Sequence, residues 1–155
     1  MKDLSFNAST NKMSIIRIAP VCNGKIYVAP RHSSNNKDIH WDLPIEESVE
    51  HISSKSDKLA CKVKGKYHAH IHTQTSPRFS VKYQSPSHQG SITYLYILPL
   101  REENDIHFHD GRFIEAEEII MHPNQYSLHL QQEGELLGMA AELWDEFYQD
   151  MLPKT

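Results

Sequence analysis

"IHWDLPIEESVEHISSKSDKLACKVKGKY" (residues 39–67) decides how this chain is read. It opens with Trp41, Leu43 and Pro44 in a W-x-L-P arrangement. An irregular acidic stretch follows (45–54), and then a short helix is expected from Ser56 to Lys64. Ser53 or Ser56 can cap it, Asp57 suits its first turn, and Gly65 ends it. Leu59, Ala60 and Val63 share one face. Lys55, Lys58, Lys62 and Lys66 form a basic stripe if the helical register reaches that far.

Upstream, "SIIRIAPV" (14–21) and "KIYVAP" (25–30) are β-branched and apolar, and Asn23-Gly24 between them is a hairpin signal. "RHSSNNKD" (31–38) reads as a loop. Downstream, "YHAHIHTQ" (67–74), "RFSVKYQ" (78–84) and "SITYLYILPL" (91–100) read as strands. Asp110-Gly111 is a second hairpin signal, and "AEEIIMH" predicts a short helix stopped by Pro123. From Ser127, a plausible N-cap, to Met151 an i, i+3, i+4, i+7 stripe (Leu136, Leu137, Ala140, Leu143, Trp144, Phe147, Met151) predicts a long terminal helix. The expected architecture is α+β, with a mixed sheet between a short helix and a long C-terminal helix. Residues 1–12 are expected to be a flexible N-terminus and 13–152 a single domain.

The 155 residues suit one core, and a net charge of −4 supplies no field favouring nucleic acid or membrane. There is no long apolar run and no secretory pattern at the start. Cys22 and Cys61 are the only cysteines, which suits reduced thiols in the cytoplasm. The chain also holds 11 histidines, an unusual load.

The order of these features resembles the Nudix superfamily. The resemblance rests on "IIRIAPVCNGKIYVAPRH", "HWDLP", "SITYLYILPL", "GRFIEAEEI" and a terminal helix, across residues 14–150. It implies an α/β/α sandwich, and in the family it implies Mg²⁺-dependent hydrolysis of nucleoside diphosphate derivatives by glutamates of the Nudix box. Counting on from Pro44 without gaps puts Ala60-Cys61 at the box's R-E pair and Lys64-Gly65 at its E-E pair. Aligning Gly65 with the late glycine puts Lys58-Leu59 and Lys62-Val63 there instead. Neither register recovers a catalytic glutamate, and lysines repel the hard cation that carboxylates would hold.

Three functions follow. The first is a non-catalytic binding or regulatory module for a small nucleotide-like or anionic ligand, contacted by Arg31, Trp41, Tyr94 and Tyr96. Lys62 stands where the resemblance would put the metal and offers its ammonium to a phosphate. No cofactor is expected in that case. The second is a divergent hydrolase holding Mg²⁺ by Glu46, Glu47 and Glu50, or by Glu102 and Glu103. The third is a Zn²⁺ protein: on a strand His68, His70 and His72 share a side, and this reading requires one of them to meet His107 or His109 in space. A small-molecule partner is expected, without nucleic acid or membrane, and a homodimer is favoured because cyclic dimers are the commonest oligomers.

Overall fold

The computed structural model describes residues 13–32, 39–50, 57–86 and 90–151. The expected flexible segment 1–12, the capping serines Ser53 and Ser56, and Lys55 lie outside the described residues. The strands are β1 (Met13–Cys22), β2 (Lys25–His32), β3 (Ile39–Asp42), β4 (Ile45–Glu50), β5 (Arg78–Gln84), β6 (Ile92–Pro99) and β7 (Arg112–Ile114). The helices are α1 (Asp57–Gly65), α2 (Ala116–Met121), α3 (Leu128–Glu142) and α4 (Trp144–Met151).

β1 and β2 close through Asn23 (φ 47°) and Gly24 (φ 82°), two consecutive left-handed residues that match the twist of a tight hairpin. The sheet runs β3-β2-β1-β6-β5; β4 pairs with β1 and β7 with β2. β1 and β6 are parallel and the other pairings antiparallel, so the sheet is mixed, as expected. Side chains alternate across it. Ile16, Ile18, Tyr94, Tyr96 and Leu98 pack toward Ala60 and Val63 of α1. Ala19, Val21, Val28, Leu95 and Ile97 pack toward Leu130, Leu137 and Ala140 of α3. The molecule is an α/β/α sandwich.

Four segments differ from expectation. The acidic stretch after Pro44 is β4, because Ile45 and Val49 alternate toward the α1 core while the backbone pairs with Met13–Ile18. "YHAHIHTQ" is not a strand. Past Gly65 the chain makes turn hydrogen bonds, Tyr67 N to Lys64 O and His70 N to Tyr67 O, and only Ile71 bridges back to Ile106. Asp110-Gly111 does not fold its two flanks onto each other: β7 pairs with β2, and His107 N donates to His70 O. Glycine is required there because a Cβ at Gly111 would run into the Tyr27 phenol, which bonds the Phe108 backbone. Lastly, the terminal helix breaks at Leu143. Its buried face runs through Leu130, Glu133, Leu137 and Ala141, leaving Leu143 outside.

Candidate functional site

An open cleft of about 470 Å³ lies where the W-x-L-P arm meets the start of α3, lined by Arg31, His40, Asp42, Tyr126, Ser127 and Gln131 among others. Local sequence builds it. Ser127 caps α3, its Oγ accepting from Leu130 N (3.0 Å) and donating to Asp42 Oδ1 (2.8 Å). Its backbone N donates to Trp41 O (3.0 Å), and Trp41 and Tyr126 form a parallel bridge, so the arm is tied to the helix entrance. Gln131 Nε2 donates back to Pro123 O and Tyr126 O. That leaves its amide oxygen outside these bonds. The Tyr126 phenol is buried, and its Oη has no hydrogen-bond partner within the described residues. Burial pushes its pKa up, opposed by Arg112, whose guanidinium lies 4.2 Å from the centre of the Trp41 ring.

The cleft floor rests on a buried ionic cluster. Arg17 stands in the apolar run of β1 with 0% exposure. Its Nε and Nη2 grip Glu133 of α3 with two parallel bonds (2.8 and 2.7 Å). Nη2 also donates to Asp42 of β3 (2.9 Å), and Nη1 to Glu46 of β4 (2.6 Å). Tyr83 Oη donates to Glu133 Oε2 (2.6 Å). Burial opposes charge on Arg17, but Glu133 and Asp42 outweigh it and hold the guanidinium protonated. Burial likewise opposes charge on Asp42, yet Arg17 outweighs it and holds the carboxyl below its usual range. The Tyr83 phenol is pushed up by burial and then by the Glu133 carboxylate. Arg31 reaches in from the cleft side, donating to Leu43 O (2.9 Å) and standing 3.7 Å from both Asp42 and Glu46, with its side chain 39% exposed.

Of the residues expected to contact a ligand, Arg31 lines this cleft and Trp41 supports its wall. Lys62 is exposed on α1, the helix that covers the other sheet face. Tyr94 and Tyr96, expected on an open face, are 2% and 0% exposed inside the α1 core, because alternation on β6 turns them under that helix.

The expected metal ligands do not converge. Glu46 and Glu47 are neighbours on a strand and so point to opposite faces. Glu46 is held by Arg17 and Glu47 by Lys66 (2.8 Å). Glu50 shares the Glu46 side but lies about 13 Å further along. His68 Nδ1 pairs with Gly65 O and His70 Nδ1 with His107 O, and the His70 ring stacks on Phe108 at 4.3 Å. His72 is exposed. Glu103 lies 4.0 Å from Lys25. Among the described residues, no three His, Cys, Asp or Glu side chains are placed to share a metal ion.

The chain matches no protein-family model and no curated protein. Solved structures do match. Tm1382, described as a candidate Nudix hydrolase, superposes with a TM-score of 0.55 at 12% identity, covering 89% of this chain and 78% of its own. A MutT from the study of Aliivibrio salmonicida and Vibrio cholerae gives 0.52 at 11%, covering 84% and 98%. The fold is Nudix-like. The complex between the C-terminal domain of mouse MUTYH and human PCNA holds a chain matching at 0.57 and 10% identity, covering 94% of each.

The sequence reading missed Arg17, His40, Asp42, Tyr83, Ser127 as a cleft residue, and Glu133. Two signals were available. Arg17 interrupts a β-branched run, and Glu133 falls on the Leu130–Leu137 face of its helix. A charge on a buried face needs a counter-charge on the element opposite.

Proposed function

We propose that this Nudix-like chain binds, rather than hydrolyses, a small nucleotide-like or anionic ligand in the cleft beside Arg31. The observation carrying this reading is that the carboxylates which do converge are already occupied by a guanidinium. Asp42 Oδ1 accepts from Arg17, Ser127 and the Leu43 backbone, and both Glu133 oxygens accept from Arg17, one also from Tyr83. Mg²⁺ would need those lone pairs, and a buried arginine leaves no room to share them. The one carboxylate along Asp57–Gly65 is Asp57, at the helix start, which also weighs against a metal on α1. The degenerate box and a non-catalytic role belong to this reading.

In the cleft, Arg31 supplies a half-exposed cation fixed by Leu43 O. His40, Ser127 and the Gln131 amide supply polar groups around it. That combination suits a planar polar ring joined to an anionic group. Two free thiols, Cys22 buried and Cys61 exposed, suit a reducing compartment. No helix among the described residues is long and apolar enough to cross a membrane.

The test is thermal shift and calorimetry with ADP-ribose, NADH, nucleoside diphosphate sugars and dinucleoside polyphosphates, with hydrolysis assayed on the same panel in Mg²⁺ and Mn²⁺. Stabilisation without turnover, lost in Arg31→Ala and His40→Ala, is expected. Metal-dependent turnover abolished by Glu46→Gln would replace the binding reading with a divergent hydrolase.

A further inference from the structure

Charge is segregated along this chain. Residues 113–151 carry nine carboxylates and no lysine or arginine, while the remaining 11 carboxylates share the chain with all 16 Lys and Arg. This segment folds into α2, α3 and α4. Glu133 is turned inward to Arg17, whereas Glu115, Glu117, Glu118, Glu135, Glu142, Asp145 and Glu146 are exposed.

The same face carries exposed apolar bulk: Ile120 is 58% exposed, Met139 64% and Leu143 44%. Two grooves flank Met139. One, of about 570 Å³, runs between α2 and α3 and is lined by Glu117, Ile120, Glu135, Met139 and Glu142 among others. The second, of about 500 Å³, lies between α3 and β5 and takes in Phe79, Leu136, Met139 and Leu143, with Arg78 and Glu135 at its edge. Along α3 the order Glu135, Met139, Glu142 has helical spacing, so acid, apolar and acid groups line one exposed ridge.

We propose that this ridge and its two grooves dock a cationic amphipathic helix of a partner protein, with its apolar side chains in the grooves and its lysines or arginines on the glutamate rim. Methionine suits such a contact because its unbranched, polarisable side chain adapts to the anchor it meets. The acidic rim repels nucleic acid and anionic membrane. A second copy of this chain is a poor complement: its basic stripe on α1 turns Ala60 and Val63 inward and leaves lysines without apolar anchors. The face lies apart from the Arg31 cleft, so this inference stands independently of the ligand reading.

The test uses the full chain and a fluorescein-labelled 15-residue helical peptide with leucines on one face and lysines on the other. A scrambled peptide of the same composition is the control. Anisotropy is expected to give at least tenfold tighter binding of the amphipathic peptide, weakened at least tenfold by Glu117→Gln/Glu135→Gln/Glu142→Gln and at least fivefold by Met139→Ser. All four side chains are exposed, and an unchanged urea midpoint checks that the variants fold. Equal binding of the scrambled peptide, unchanged binding by the variants, or amide shifts outside 115–121 and 134–143 would overturn the proposal. So would sedimentation showing self-association that the glutamine variant abolishes, which would give the face to a second copy.

Discussion

Arg17→Met removes the one cation at the centre of the cluster and leaves Glu133, Asp42 and Glu46 facing one another. Deleting one partner of a buried ion pair costs about 3–5 kcal/mol, because the remaining charge stays buried and unpaired. Here the upper half of that range applies: three carboxylates lose a donor, and Glu133 is 2% exposed and cannot turn to water. Total stability for a domain is about 5–15 kcal/mol. With a urea slope of about 2 kcal/mol per molar, the midpoint should fall by about 2 M. Arg17→Met/Glu133→Leu removes charge and counter-charge together. Asp42 then keeps Ser127, the Leu43 backbone and the more distant Arg31, and Tyr83 loses one acceptor, a loss of about 1 kcal/mol. The double variant should therefore be more stable than Arg17→Met by about 2 kcal/mol. Urea unfolding at pH 7, followed by far-ultraviolet dichroism, closes the double-mutant cycle. A single-variant loss below 1 kcal/mol, or additive losses in the double variant, would refute a buried, mutually dependent cluster.

The depressed pKa of Asp42 gives an acid limb. Its folded pKa lies below the unfolded value of about 3.9, so its contribution is complete above that pH and is lost as pH falls through the folded value. Urea midpoints between pH 6 and 2.5 should fall more steeply for the native chain than for Asp42→Asn; equal slopes would contradict the pairing. Thiol titration at pH 8 should find one fast thiol, the exposed Cys61. Cys22, buried and pushed up to about 11 by burial and then by Glu103, Asp105 and Glu102, should react only after unfolding. Ser127→Ala should lower stability by about 1–2 kcal/mol through the lost cap and lost Asp42 bond, measured by thermal unfolding. Gly111→Ala should cost about 1–3 kcal/mol, because the new methyl displaces the Tyr27 ring; an unchanged melting temperature would rule out that close approach.

What was legible in the sequence was local. Asn23-Gly24, the β-branched runs of β1 and β6, the Ser127 cap and the Gly65 stop each act within a few residues. β4 was not legible because Ile45 and Val49 are its only apolar residues and its partner β1 lies some 30 residues earlier. The histidine run imitates a strand through its period of two, but the turn started at Gly65 wins over that alternation. The cleft was half legible. Arg31 and the W-x-L-P arm marked its position, whereas Asp42, Ser127 and Gln131 acquire a role only once α3 docks against β3. The break at Leu143 eluded the periodicity because Trp144 satisfies the same spacing in either helix; there the Trp144 indole donates to Leu100 O, a long-range contact.

Arg17 also has a history within each molecule. Its two-point partner Glu133 lies 116 residues later in the chain. At a synthesis rate of about 5–20 residues per second, β1 is complete for roughly 6–22 seconds before that partner exists. Throughout that interval "SIIRIAPV" is an apolar, β-branched segment of the kind that seeds aggregates, and a hydrated guanidinium sits in its middle. The charge that later lies at the centre of the folded ionic cluster first interrupts the apolar nascent strand; Asp42 and Glu46 follow within 29 residues, and its two-point partner comes only with α3.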